Sequence, residues 1–190
     1  MNTEWEAAWS AAAHLYRHLL SGGEPQTMFT PLLLDPGEDA YSDLPLTYSR
    51  FYGMNVEYQQ TTGLFLGSPL FMAAGYAATA VGNSMARNRA AAQAAPQWRE
   101  HCLARTVVTN VRTRCLVNGQ WIGFDHGAMV EFTADLPNAA CVMTFNGVEP
   151  LCLNGIGAPW LAVLLSYFLH GRERLGVLPH LHPLQQIGFK

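Results

Sequence analysis

A chain of 190 residues, 49% of them hydrophobic and 13% charged, can bury one sizeable core and is too apolar for a disordered segment. Its 14 acidic residues outnumber the 11 basic ones for a net charge of −3, and no Lys/Arg-dense run is present, which argues against a nucleic-acid partner whose phosphates must be neutralised. Cys102, Cys115, Cys141 and Cys152 lack any C-x-x-C spacing, so neither a zinc ribbon nor a thioredoxin-like motif is expected.

The opening "MNTEWEAAWSAAAHLYRHLL" has acids where a secretion signal would carry basic residues, so a cytoplasmic protein is expected. Thr3-x-x-Glu6 is a capping box, and Trp5, Trp9, Ala12, Leu15, Tyr16 and Leu19 recur at helical spacing until Gly22-Gly23. A Pro- and acid-rich loop, "EPQTMFTPLLLDPGED", follows this first amphipathic helix. Alternation at Leu44, Leu46 and Tyr48 and, past Gly53, at Met54, Val56 and Tyr58 predicts strands with a bend or bulge at Gly53.

Residues 58 to 86 carry no formal charge. Ser68-Pro69 starts and Pro96 stops a predicted helix of about 26 residues and roughly 39 Å. That is long enough to cross a bilayer, but Ala, Gly, Ser, Thr and Asn dominate it where lipid-facing residues should be large. Small residues at Ala74, Gly75, Ala78 and Gly82 suit close approach of another helix, so packing against protein is expected.

Beyond Pro96, two apolar stretches flank Asn118-Gly119, the strongest short hairpin signal. A two-residue loop sets Val117 opposite Gln120, Cys115 opposite Ile122, Thr113 opposite Phe124 and Arg112 opposite Asp125. Asp125 and His126 then fall on opposite faces and cannot converge on one substrate atom. Asp125 is expected to pair with Arg112, and His126 to sit at the end of the apolar face with Val111. The same rule applied to Asn146-Gly147 sets Phe145 opposite Val148, Met143 opposite Pro150 and Cys141 opposite Cys152, two thiols expected to be neighbours, reduced in the cell and oxidisable in vitro. "GAPWLAVLLSYFLHG" reads as a closing helix from Pro159 to Gly171, apolar all round and so covered on more than one face.

"LLLDPGED", "TVVTNVRTR", "WIGFDHGAMVEF" and "PLCLNG" followed by "APWLAVLLSYFLHG" together resemble a bacterial pleckstrin-homology-like domain of the GRAM type. The first matches that family's L-x-x-G-E opening, the second its V-T-x-x-R strand, the third its next strand, and the last pair its final strand and C-terminal helix. The resemblance implies an α+β fold: a bent antiparallel sheet, or partly open barrel, closed by the C-terminal helix. The N-terminal helix and a long helical insertion lie outside the pattern. Residues 1–31 are thus expected to form the N-terminal helix and linker, 32–171 the PH-like domain with its insertion at about 61–100, and 172–190 a flexible tail carrying His180 and His182.

Such domains bind lipid head groups, membranes or protein segments and carry no catalytic constellation. The expectation is therefore a non-enzymatic binding module without cofactor that self-associates or docks on a protein partner. Its interaction surface is placed at Ala74, Gly75, Ala78 and Gly82, because three apolar helices exceed what one small sheet can cover. The alternative is peripheral attachment to the inner membrane face, with Arg87, Arg89 and Arg99 contacting anionic lipid. The third reading is a histidine-based metal protein or enzyme. His14 and His18 stand one helical turn apart, a spacing that can hold zinc, but no Cys, Asp or Glu joins them on that face.

Overall fold

The structure, a computed structural model, describes residues 3–53, 89, 91 and 94–186. The chain divides into two compact units, one of Met1–Arg50 with Arg99–Lys190 and one of Phe51–Trp98. The expected strand at Met54, Val56 and Tyr58, nearly all of the expected insertion helix, and Ala74, Gly75, Ala78, Gly82 and Arg87 lie outside the described residues.

In the smaller unit the Phe51 and Trp98 rings pack at 5.3 Å. Gly53 is required by close approach: a Cβ there would meet the Ala94 carbonyl oxygen at 2.7 Å. The bend expected at this glycine depends on residues that lie outside the described ones. Residues 97–100, expected inside the helical insertion, are strand instead, because β2 begins at Gln97.

In the larger unit, α1 (Thr3–Leu20) begins at its capping-box threonine, with Glu4 and Glu6 at the positive end of the helix dipole. Ala12, Ala13, Leu15, Tyr16 and Leu19 form its buried stripe. The strands are β1 (Ala40–Tyr52), β2 (Gln97–Thr109), β3 (Arg112–Val117), β4 (Gln120–Asp125), β5 (Met129–Asp135), β6 (Ala140–Phe145) and β7 (Val148–Asn154). They form one sheet in the order β4-β3-β2-β1-β7-β6-β5, with antiparallel ladders in every pair whose register is described.

That order dictates a curled sheet. Laid flat, the six gaps between the outer strands would separate β4 from β5 by about 29 Å. Only the 3-10 turn His126–Ala128 joins these strands, and its three residues reach about 14 Å at full extension. The sheet must bend until its two edges approach, yet no ladder joins them, so it does not close into a barrel. The α+β class is as expected.

The first hairpin has the expected register, from Val117 opposite Gln120 to Arg112 opposite Asp125. Asn118 and Gly119 both have positive φ, 50° and 79°, as a type I′ turn requires. In the second hairpin only the Phe145–Val148 pair is as expected. Met143 faces Leu151 rather than Pro150, and Cys141 faces Leu153 rather than Cys152. The cause is chemical: Pro150 has no N–H to give to the ladder, so β7 accommodates an extra residue there. The slip sends Cys141 into the core and Cys152 to the other face, opposite Val142 and Ser49. All four thiols are free, and the two expected neighbours do not face each other.

The helix after the last strand, α2 (Ala158–His170), has Pro159 in its first turn and stops at Gly171, whose φ of 73° is one that favours glycine. Being apolar all round, it needs two covers and has them: β6 packs on one side and α1 along another. Between them Leu161, Leu164 and Leu165 are buried with Leu15, Tyr16 and Leu19 in one core. The surplus apolar helix surface expected of α1 and α2 is thus largely consumed within one copy.

The segment after Gly171, expected to be a flexible tail, is packed as far as it is described. It forms α3 (Arg172–Leu175), a 3-10 turn (Pro179–Leu181) and α4 (His182–Gln185), and buries Leu175, Leu181 and Leu184 completely. The Tyr16 hydroxyl accepts from Gln185 Nε2 at 2.8 Å and approaches the Leu175 carbonyl at 3.4 Å, fastening this segment to α1.

Candidate functional site

A half-open cavity of about 430 Å³ lies between α1, the loop that follows it, β1 and α2. Its apolar wall is Leu15, Met28, Tyr41, Trp160 and Leu164, and its polar rim includes His14, His18, Glu24 and Thr27. The helical period sets His14 and His18 on one side of α1, and Leu15 reaches the same space from the buried stripe. Both candidate histidines therefore reach one cavity.

His18 is engaged as a structural element. Its Nε2 donates to the Glu24 carbonyl at 3.1 Å, and its ring lies so close to Gly23 that a Cβ there would overlap it at 2.2 Å. The Glu24 carboxylate accepts from the Tyr167 hydroxyl and, at 2.6 Å, from Arg172 Nη2. The Tyr167 hydroxyl first, with Arg172 and His18 adding to it against some desolvation, holds that carboxyl below its usual range. Burial first, then Asp39 and Glu24, pushes the Tyr41 phenol up. Among the described residues no three His, Cys, Asp or Glu side chains stand together as a metal site.

The loop that supplies one wall continues through Phe29 and Leu33, which are 87% and 92% exposed. It is anchored at both ends and in the middle. Met28 N–H donates to the Ala40 carbonyl at 2.8 Å, and the Leu33 carbonyl accepts from Arg114 Nη1 at 3.1 Å. Beyond it, the fully buried Glu38 carboxylate accepts from Arg114 Nη2 at 3.0 Å, the Thr109 hydroxyl at 2.9 Å and the Asp35 N–H at 3.0 Å, with Arg112 Nε 3.4 Å away. Burial raises the Glu38 pKa, and the Asp35 N–H, Thr109, Arg114 and Arg112 together outweigh it, so the net shift is downward. Periodicity does not reveal this latch: its side-chain partners lie 71 to 76 residues along the chain.

Asp125 is a lesser member of the same cluster. It lies 3.4 Å from Arg112 with its side chain 62% exposed, and Arg112 also contacts Asp35 and Glu38. The Asp125→Asn variant should therefore lose less than about 1 kcal/mol in urea unfolding, an exposed pair's usual worth. A larger loss would place Asp125 inside the latch.

His126 points the other way, buried, with Nε2 3.0 Å from the Thr113 hydroxyl and its ring stacked on Phe168. Burial pushes its pKa down to about 4, against opposing contributions from the Asn110 carbonyl, Asp125 and Glu38. The unfolded chain then holds more protons than the folded one between about pH 6.5 and pH 4, so stability falls as pH falls through that window. The loss should approach 3 kcal/mol at most, to order of magnitude. Glu38 has a lowered pKa, so its contribution is lost only further down, as pH falls below the unfolded carboxylate range through its folded value. Urea midpoints of wild type and His126→Gln at pH 7 and pH 4.5 separate them: the variant should lose much less on acidification.

Two histidines bond to hydroxyls, as a nucleophile–base pair would. Besides Thr113 with His126, the Ser166 hydroxyl lies 2.8 Å from His180 Nε2. Ser166 is completely buried inside α2, and the His180 ring packs edge-on against Phe132. The Ser166 oxygen is closed to any substrate, so this bond ties the C-terminal segment to α2.

The remaining sequence-derived candidates are scattered. Arg89 is an exposed helical residue of the smaller unit, and Arg99 is half-buried in β2. No described helix is long and apolar enough to cross a membrane. The chain matches no family model, no curated protein and no solved structure.

Proposed function

We propose that the larger unit is a PH-like binding module, non-enzymatic and cytoplasmic, that docks on protein rather than on phosphate-bearing ligands. The observation that carries this reading is the contrast between five of its arginines, each already facing a carboxylate, and its exposed apolar side chains. Arg50 pairs with Glu149, Arg105 with Asp43, Arg112 with Asp35, Glu38 and Asp125, Arg114 with Glu38, and Arg172 with Glu24. A guanidinium already facing a carboxylate offers a lipid head group little, because the head group must first displace the internal partner. Phe29 and Leu33, by contrast, are held out in water by an anchored loop, as residues of a protein contact are. Support for the PH-like fold comes from the motifs, from the curled sheet with its edges meeting at a three-residue turn, and from the helix that follows its last strand.

Co-sedimentation of the full chain with neutral and with anionic vesicles, at low and at high salt, tests this reading. No pelleting on either vesicle is expected. Pelleting that needs anionic lipid and is lost at high salt would reject it in favour of membrane attachment through the arginines.

A further inference from the structure

We propose that the occupant of the 430 Å³ cavity is Phe29 of a second copy of this chain, in a two-fold dimer in which each copy gives one knob and receives the other. The inference rests on the protein-docking reading above and names its partner and surface.

A two-fold interface requires one surface to be complementary to itself. Here the knob and the hole adjoin in sequence: Met28 lines the cavity and Phe29 stands 87% exposed beside it. The hole suits a phenyl ring, with Trp160 and Tyr41 offering aromatic faces and Leu15 and Leu164 an aliphatic floor.

Area and order are also suitable. Two phenyl knobs bury roughly 300 to 500 Å² between them, and the walls they cover bury a similar amount. With Leu33, 92% exposed four residues on, the total approaches the roughly 1,200 Å² at which specific interfaces begin. The loop needs little ordering on association, since the Met28–Ala40 bond, the Arg114 bond to the Leu33 carbonyl and the Glu38 latch already hold it. An interface at this low end of the specific size range is expected to exchange, and a micromolar dissociation constant is the value tested.

The test is sedimentation velocity of the full chain from about 1 to about 200 μM, a range that brackets such a constant. Phe29→Asp should raise the dissociation constant at least about thirtyfold, as loss of a central hot spot does. Thr27→Trp should do the same by filling the hole, and both sites are on the surface, so circular dichroism should report intact folds. The deciding arm mixes the two variants. Phe29→Asp keeps its hole and Thr27→Trp keeps its knob, so together they retain one of the two contacts and should form mixed dimers where neither dimerises alone. A wild type monomeric throughout, a Phe29→Asp dimer as tight as wild type, or no mixed dimer would each overturn the proposal. Monomers that also ignore anionic vesicles would remove this dimer and leave the docking reading standing, whereas salt-sensitive pelleting would remove that reading itself.

Discussion

Replacing Glu38 by alanine should destabilise the protein by about 3 to 5 kcal/mol, far more than any change at Asp125. Its side chain has no solvent exposure, and the guanidinium groups of Arg112 and Arg114 are only 26% and 17% exposed. Removing the carboxylate leaves two partly buried cations with one partner fewer, and breaking a pair whose acid is fully buried is costly. The Thr109 hydroxyl and the Asp35 N–H lose their acceptor as well. Urea unfolding at neutral pH measures the loss, and Glu38→Gln should recover part of it by keeping an acceptor in place. A loss under about 1 kcal/mol for the alanine variant would mean that water or Asp35 replaces the carboxylate. The consequence extends to binding, since this latch anchors the loop that carries Phe29 and Leu33.

Leu181→Ala should cost about 2 to 4 kcal/mol, the usual price of a leucine-sized hole in a close-packed core. Leu181 is completely buried together with Leu175 and Leu184, in a segment whose prolines, glycines and histidines read as an unstructured end. A flexible tail would give a change near zero at the same position. Thermal or urea unfolding of the single variant separates the two outcomes, and Gln185→Ala, which removes the bond to the Tyr16 hydroxyl, should have a smaller effect of about 1 kcal/mol.

Legibility in the sequence followed the range of the physics involved. The amphipathic stripe of α1, the placing of α2 with Pro159 in its first turn and Gly171 at its end, and the Asn118-Gly119 hairpin are local, and each appears in the structure as the residues imply. The second hairpin carries the same Asn-Gly pair yet departs from the expected register, because a missing N–H at Pro150 is a ladder property that a residue count from the turn ignores. The order of the C-terminal segment is not legible, because its helices have only four residues, too few for periodicity, and owe their order to burial against α1. Neither the Glu38 latch nor the cavity could be located, since each joins residues far apart in the chain. His14 and His18 stand out in the sequence by their spacing, and the structure puts them at a cavity rim with no third ligand among the described residues.

The curl of the sheet, the position of α2 over it and the PH-like reading all follow from β1 lying between β2 and β7. Cross-strand proton contacts in nuclear magnetic resonance spectra of the full chain test that strand order. The order requires contacts between β1 and β7, among them Ser49 with Cys152 and Arg50 with Leu151, and none of ladder type between β4 and β5. Absence of the Ser49–Cys152 contact, or a regular ladder joining Gln120–Asp125 to Met129–Asp135, would contradict the account.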